Sequence, residues 1–490
     1  MEKFLDRIYY ENFTPENEAL IFGNKHCTYG ELDQMVGKMA QYLIQKGIKK
    51  GDRVLLICQN NLEFVFSYLG IIRAGGTVIP LNITLTPEEI KYILKDAQAK
   101  MVVAHQKIVQ AAAKKLNINL KEQLNIDLVV INESFTEEIA TLTPCEGRER
   151  AEIAAFLYTS GTTGFPKGAM LTHENLIANV ESLQKIGNLQ PQDNMLCVLP
   201  MFHSFAWTTS VLLPLFAGSK ATIHETFQPR GVVETIAREN ITIFCGAPSM
   251  YVVLLQVANK EALSSLRFTV SGGSALPQKI LKSFEEKFAV PLVEGYGLSE
   301  ASPVVTLNPL DGVRKPGSIG LPIPDVEVKL VNDDFEEVEP GEIGELAVKG
   351  PNVMQGYFNL PEENEKALID GWLLTGDMAK QDEDGYYYIV DRKKELVVVS
   401  GFNVYPREIE EVILNNPSVK ECAVLGVPDE ARGEVVKAFV VLEDGKEISE
   451  KELKQYLKER LAPYKRPRII EFRADLPKNA TGKIMKRLLK

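Results

Sequence analysis

Short apolar runs of strand length alternate with amphipathic stretches through the first part of the chain. Residues 53–58 form an apolar strand, 62–73 a helix, and 77–79 a second strand. Thr86-Pro87-Glu88-Glu89 predicts a helix start, with Thr86 as N-cap, Pro87 at the first helical position and Glu89 closing a capping box. Residues 101–104 form the next strand. This order predicts a parallel sheet with helices on both faces. The pattern recurs, with strands at 154–158, 195–199, 242–245, 268–271 and 292–294. Their ends carry polar or glycine-rich loops, and open α/β sheets bind ligands at the carboxyl ends of their strands.

From 315 to 390 the runs shorten. Residues 327–330 and 345–348 alternate between Gly and Pro turns, and Asp382-Glu383-Asp384-Gly385 predicts a hairpin turn before a strand at 386–390. A polar break, Arg392-Lys393-Lys394-Glu395, follows Asp391. The remainder has the pattern of an α+β domain, with helices at 406–414 and 449–461, the second opened by a Ser449-x-x-Glu452 capping box. The predicted fold is therefore α/β. A large domain, residues 1–391, holds two doubly wound sheet subdomains and a small β-rich one, and residues 392–490 form a second domain.

Composition narrows the class. The 490 residues are 45% hydrophobic and 25% charged, as in a soluble globular protein. A net charge of −11 argues against nonspecific nucleic-acid binding and against a basic membrane-surface protein. No apolar run reaches the roughly 18 residues of a membrane span. The start, Met1-Glu2-Lys3-Phe4-Leu5-Asp6-Arg7, has charges where a signal peptide needs an apolar core, so a cytoplasmic location is expected. The six cysteines (27, 58, 145, 197, 245 and 422) have no metal-ligand spacing and read as reduced residues.

The strongest local signal is Tyr158-Thr159-Ser160-Gly161-Thr162-Thr163-Gly164-Phe165-Pro166-Lys167-Gly168. Three glycines let backbone N–H groups turn toward a polyphosphate, the hydroxyls add donors, and Lys167 adds positive charge. Pro166 occupies the place of the second glycine of an ordinary P-loop, so the segment is not one. A flexible surface loop after a strand is the plainer alternative.

The segment resembles the phosphate-binding signature of the acyl-adenylate-forming superfamily, which includes acyl-CoA synthetases, carrier-protein adenylation domains and luciferases. The resemblance continues in order through Gly295-Tyr296-Gly297-Leu298-Ser299-Glu300, Thr375-Gly376-Asp377, Asp391-Arg392-Lys393-Lys394 and Pro477-Lys478-Asn479-Ala480-Thr481-Gly482-Lys483. It is closest to the bacterial long-chain fatty-acid–CoA ligases. Such an enzyme joins a carboxylate to AMP with release of pyrophosphate, and CoA then displaces AMP. The implied partners are a fatty acid, ATP and CoA, with Mg²⁺ as cofactor and neither nucleic acid nor an integral membrane segment; a homodimer is left open.

Site roles follow from the resemblance, residue by residue. Thr159 and Glu300 would hold Mg²⁺, to which a hard carboxylate oxygen is suited; alone, Glu300 would read as an exposed helix-start glutamate. Ser160, Gly161, Thr162, Thr163, Gly164 and Lys167 would cradle the phosphates. Gly272, Gly273, Ser274, Glu294, Gly295, Tyr296, Gly297 and Ser299 would line the nucleotide site, with Gly273 and Gly297 also near the acyl group. Tyr296 would lie against adenine, unless it is a core tyrosine. Asp377 would accept from the ribose hydroxyls, unless it only forms a turn, and Arg392 would contact the ribose. Lys483 would be the catalytic lysine, bridging carboxylate and nucleotide; it lies in a tail, 465–490, with nine Lys/Arg against two Asp/Glu. Lys394 would be a hinge, making 392–490 mobile, and Ser400, Gly401 and Phe402 would wall the CoA tunnel. Several relatives carry a lysine where this chain has Val398, so any role of that lysine is absent or moved. His203 would sit by the acyl carboxylate, as a hydrogen-bonding group rather than a base, though a lone histidine is more often structural. Trp207, four residues on, would share a helix face with it and gate an apolar acyl tunnel, unless it is a pocket wall or core residue. An aryl-acid–CoA ligase, a carrier-loading adenylation enzyme and a nucleotide-binding sensor are the rival readings.

Overall fold

The computed structural model describes residues 4–12, 14–116, 126–132, 149–159, 166–399, 402–429, 433–478 and 483–489. The chain divides into two compact units. The first takes Met1–Pro316, Gly320–Glu327 and Val348–Leu373; the second takes Gly317–Ile319, Val328–Ala347 and Leu374–Lys490.

The first unit holds two large sheets. Among the described residues one has seven strands, in the order Gly356–Tyr357, Lys167–Thr172, Ile153–Thr159, Thr77–Pro80, Arg53–Ile57, Met101–His105 and Asp127–Ile131. The other has nine, running Leu321–Pro322, Val304–Leu307, Leu292–Gly297, Phe268–Ser271, Ile243–Gly246, Asn194–Cys197, Lys220–Ile223, Glu18–Phe22 and Lys25–Thr28. The α/β class and the predicted strands are all present. So is the helix Pro87–Asp96, with its capping box closed by Thr86 and Glu89.

The sheets are mixed rather than purely parallel as the alternation predicts. Strand Ile153–Thr159 returns antiparallel as Lys167–Thr172, Thr159 facing Lys167. The reason is length: a parallel return needs a crossover of about a dozen residues or more, and the glycine-rich connection is shorter. Leu292–Gly297 likewise pairs antiparallel with Val304–Leu307, and Glu18–Phe22 with Lys25–Thr28.

Helix Leu62–Arg73 is buried along its whole length. A helix buried all round needs apolar side chains on every face, and its last residue departs from that. Arg73 is 1% exposed. Its guanidinium lies 3.4 Å from Asp6 Oδ2 and 2.7 Å from Asp33 Oδ1, and donates to the Asp6 and Asp33 carbonyls and the Tyr9 hydroxyl. This one side chain joins the N-terminal turn Leu5–Arg7 to helix Tyr29–Gln45.

Strand Trp372–Gln381, which enters the second unit at Leu374, turns through Asp382–Gly385 into Tyr387–Arg392, as predicted. The Asp382 carboxylate accepts the Asp384 and Tyr386 N–H groups, and Gly385 supplies the positive φ of 85°. A further sheet orders Phe402–Val404, Val397–Val399, Gly433–Leu442 and Val419–Asp429, with Ile469–Phe472 parallel to Gly433–Leu442. Helix Pro406–Leu414 matches its prediction. Helix Glu450–Lys458 has the Ser449 capping box but ends before the predicted 461, where the Arg460 and Leu461 N–H groups both turn onto the Leu457 carbonyl.

Candidate active site

The antiparallel return after Ile153–Thr159 brings the two ends of the glycine-rich loop together, and polar chemistry gathers there. Thr159 Oγ1 donates to Glu300 Oε1 at 3.2 Å, and the Tyr357 hydroxyl donates to the same oxygen at 2.9 Å. Glu300 sits in the short 3-10 turn Ser299–Ala301 and is 8% exposed, not the solvent-facing helix-start residue its local sequence alone suggests. Burial, reinforced by the Glu300 charge, holds the Tyr357 phenol well above the usual range, so it stays a donor. Lys167, across from Thr159, ion-pairs with Glu363, and its ammonium lies 5.4 Å from the centre of the Tyr357 ring. That ammonium holds the Glu363 carboxyl below its ordinary range. Among the described residues no hydrogen bond reaches Glu300 Oε2. A buried carboxylate with one oxygen held and the other open, beside a threonine hydroxyl, is a donor set that fits Mg²⁺. Ser160, Gly161, Thr162, Thr163 and Gly164 lie outside the described residues.

The neighbouring loops are shaped by their glycines. A Cβ on Gly272 would meet the Phe205 ring at 3.0 Å, and one on Gly297 would meet the Pro303 carbonyl oxygen at 2.1 Å. Gly295 is hemmed by Leu307 at 2.9 Å, while Gly273 has a positive φ of 84° and open space around it. Ser274 is exposed, and Tyr296 is half-buried on the strand Leu292–Gly297. Glu294 is buried and accepts the Leu276 N–H at 3.0 Å, which ties down the loop that carries Gly272, Gly273 and Ser274. The Ser299 hydroxyl lies 3.2 Å from that of Ser204.

His203 caps the helix Ser204–Trp207, its Nδ1 accepting the Phe205 N–H at 3.2 Å. That bond assigns the neutral ring's proton to Nε2 and makes that edge a donor. The helix continues as a π-helical turn, Thr208–Leu212, a form common at functional sites. Trp207 is 3% exposed; its ring lies 4.1 Å from Tyr68 and 5.5 Å from Phe64, centre to centre.

The second unit gathers its own cluster. Asp377 and Arg392 face each other across the strand pair, with Arg392 Nε 3.4 Å from Asp377 Oδ1. Gly376 takes a φ of +72°, its N–H donating to Glu345, while Thr375 donates to the Leu346 carbonyl. Lys483 belongs to the same electrostatic neighbourhood. Burial, then the Arg392 guanidinium and Lys394, push its ammonium down to about 8, with Asp377 and Glu395 opposing. The side chain keeps an exposed face, through which solvent screens these charges. Phe402 is 56% exposed and stacks on Tyr464 at 4.8 Å. Val398 is exposed and its N–H donates to Glu434. Lys394 lies in the 3-10 turn Lys393–Glu395, and Ser400 and Gly401 fall outside the described residues.

A lysine that titrates near 8 is charged below that pH and neutral above it. If Lys483 stabilises negative charge, acid-dependent ATP–pyrophosphate exchange falls as pH rises through about 8. The residual exchange of Lys483→Arg, whose guanidinium stays charged, lacks that fall. Identical alkaline limbs in both proteins would remove Lys483 as their cause.

Tyr357 and Glu363, which sequence reasoning missed, join the cluster beside the glycine-rich loop through Glu300 and Lys167. The sole local signal is Pro361-Glu362-Glu363, a helix start with acids in its first turn.

The chain matches the family model described as AMP-binding enzyme over residues 11–358, and that of the AMP-binding enzyme C-terminal domain over 408–483. It is 38% identical to a long-chain-fatty-acid–CoA ligase of Bacillus subtilis, covering 97% of this chain and 91% of that one. A feruloyl-CoA synthase of an Amycolatopsis species is 35% identical, with 96% and 95% covered. The fold is similar to the o-succinylbenzoate CoA synthetase of Bacillus subtilis solved with ATP and magnesium, with a TM-score of 0.90, 30% identity and 100% of both chains covered. Among the described residues no helix is long and apolar enough to cross a membrane.

Proposed function

The chain belongs to the AMP-binding enzyme family, and from that premise we propose that it activates medium- to long-chain fatty acids. It is an AMP-forming acyl-CoA ligase that uses ATP, magnesium and CoA. A carboxylate is a poor electrophile. Its oxygen attacks the α-phosphorus of ATP, pyrophosphate leaves, and the resulting acyl-AMP has a good leaving group. The CoA sulfur then attacks the carbonyl carbon, AMP departs, and the thiol proton goes to solvent or a nearby base.

The roles we assign follow the geometry. Glu300 and the Thr159 hydroxyl would hold the metal, which when bound would neutralise phosphate charge. Lys167 and the loop before it receive the phosphates. Asp377 and Arg392 bind the ribose, and Lys483 stabilises charge during adenylation. The donor edge of His203 orients the carboxylate, and exposed Phe402 offers a face to pantetheine. We retain 1–391 and 392–490 as domains, with Lys394 at the turn between strands Tyr387–Arg392 and Val397–Val399.

The observation that carries the fatty-acid reading is the seat of Trp207. An indole four residues after the His203 cap, packed on Tyr68 and Phe64, supports an apolar path leading away from the carboxylate that His203 would orient. The 38% identity to a long-chain ligase supports it. Each buried methylene adds about 0.8 kcal/mol, so affinity rises with chain length until the tunnel ends. Assays over C4–C18 acids should show that rise, and Trp207→Ala should flatten it with ATP binding unchanged. The 35% identity to a feruloyl-CoA synthase favours an aryl acid as second reading. A wild type that prefers cinnamate-like acids to dodecanoate would put that reading first.

A further inference from the structure

We propose that Tyr357 is a positioning residue of the metal site, its hydroxyl holding one oxygen of Glu300 so that the other is presented to magnesium. The proposal rests on the reading of Glu300 as a magnesium ligand. Two hydroxyls, from Tyr357 at 2.9 Å and Thr159 at 3.2 Å, converge on Oε1. Two donors on one oxygen fix the plane of the carboxylate and leave Oε2 as the outward atom. Magnesium demands near-ideal octahedral geometry at about 2.0–2.1 Å and tolerates misplaced ligands poorly. A carboxylate free to swing would therefore bind it less well.

Tyr357 is itself held on several sides. Its strand, Gly356–Tyr357, pairs with Lys167–Thr172 at the edge of the seven-stranded sheet. The Asn364 side chain clasps its peptide, accepting the Tyr357 N–H at 2.6 Å and donating to its carbonyl at 2.9 Å. Asn364 can come this close because Gly356, with a φ of +138°, has no Cβ; one would stand 3.0 Å from the Asn364 amide. The helix that carries Asn364, Pro361–Ala367, also carries Glu363, the partner of Lys167. Tyr357 thus touches the carboxylate through its hydroxyl and the ammonium through its ring face. A tyrosine kept for packing alone would not need that hydroxyl.

The test is Tyr357→Phe, which removes one oxygen and keeps the ring. ATP binding is measured by calorimetry across a magnesium titration and again in chelator. A hydrogen bond to a charged group predicts that the half-saturating magnesium concentration rises about tenfold, with metal-free ATP binding within about twofold. Melting without nucleotide checks the fold, and Tyr357→Leu, which loses the ring as well, must show the same magnesium shift. Unchanged magnesium dependence in both variants, with lower melting temperatures, would make Tyr357 a packing residue. Absence of magnesium-dependent ATP binding in the wild type would instead overturn the reading of Glu300, and this assignment with it.

Discussion

In Lys483→Ala, acid-dependent ATP–pyrophosphate exchange is expected to fall by about 10²–10³, while thioester formation from supplied acyl-AMP and CoA changes little. The size is that of one preorganised donor removed from a developing charge, about 2.7–4 kcal/mol. The asymmetry comes from the two steps. Adenylation brings an anionic carboxylate onto a polyanionic phosphate, and a nearby cation relieves that repulsion most at the transition state. Attack on the finished mixed anhydride starts from a neutral carbonyl with its leaving group installed. Lys483 suits the first task, standing beside Asp377 and Arg392, the pair assigned to the ribose. Exchange and single-turnover thioester assays on the same preparation decide the matter. Equal losses in both half-reactions would mean that the lysine serves the site as a whole.

Arg73→Ala should destabilise the first unit by about 3–5 kcal/mol, the usual result of removing one partner from a buried ion pair. The loss arises mostly from what stays behind: Asp6, 0% exposed, loses its nearer guanidinium and keeps only that of Arg7, 3.8 Å from Oδ2. The tyrosines beside it feel the same electrostatics. Burial and the Asp33 charge hold the Tyr9 phenol well above its ordinary range, and the Arg73 guanidinium opposes them. Both tryptophans of the chain, Trp207 and Trp372, lie in the first unit, so their fluorescence in urea reports the unit that carries Arg73. Asp6→Asn added to Arg73→Ala should recover part of the loss. A loss below about 1 kcal/mol, the range of a surface pair, would show that the cluster is already hydrated.

Features with a local cause were legible in the sequence. The helix starts at Thr86 and Ser449 are encoded within four residues each, and the structure has both capping boxes. The Asp382–Gly385 turn is legible for the same reason, since its bonds stay within the turn. Strand direction after Thr159 was not, because an apolar run looks alike in either direction; only the shortness of the connection carried the signal. Tyr357 and Glu363 were missed because their partners are distant in sequence, and no periodicity links Tyr357 to Glu300 or Glu363 to Lys167. The burial of Glu300 was hidden likewise, as its own turn reads as a polar surface.

The order of strands in the nine-stranded sheet bears on how the chain folds as it is made. Glu18–Phe22 has Lys220–Ile223 as its parallel neighbour, so this strand leaves the ribosome and waits for a partner roughly 200 residues behind it. At about 5–20 residues per second that is a delay of roughly 10–40 s. Until then Ala19, Leu20 and Ile21, which the finished sheet buries completely, have only the hairpin strand Lys25–Thr28 beside them. The seven-stranded sheet has no such wait for its first members, since the strands from Arg53 to Ile131 pair among themselves. Synthesis therefore favours that sheet first, and the hairpin of Glu18–Phe22 and Lys25–Thr28 is a segment that a chaperone would shield during translation.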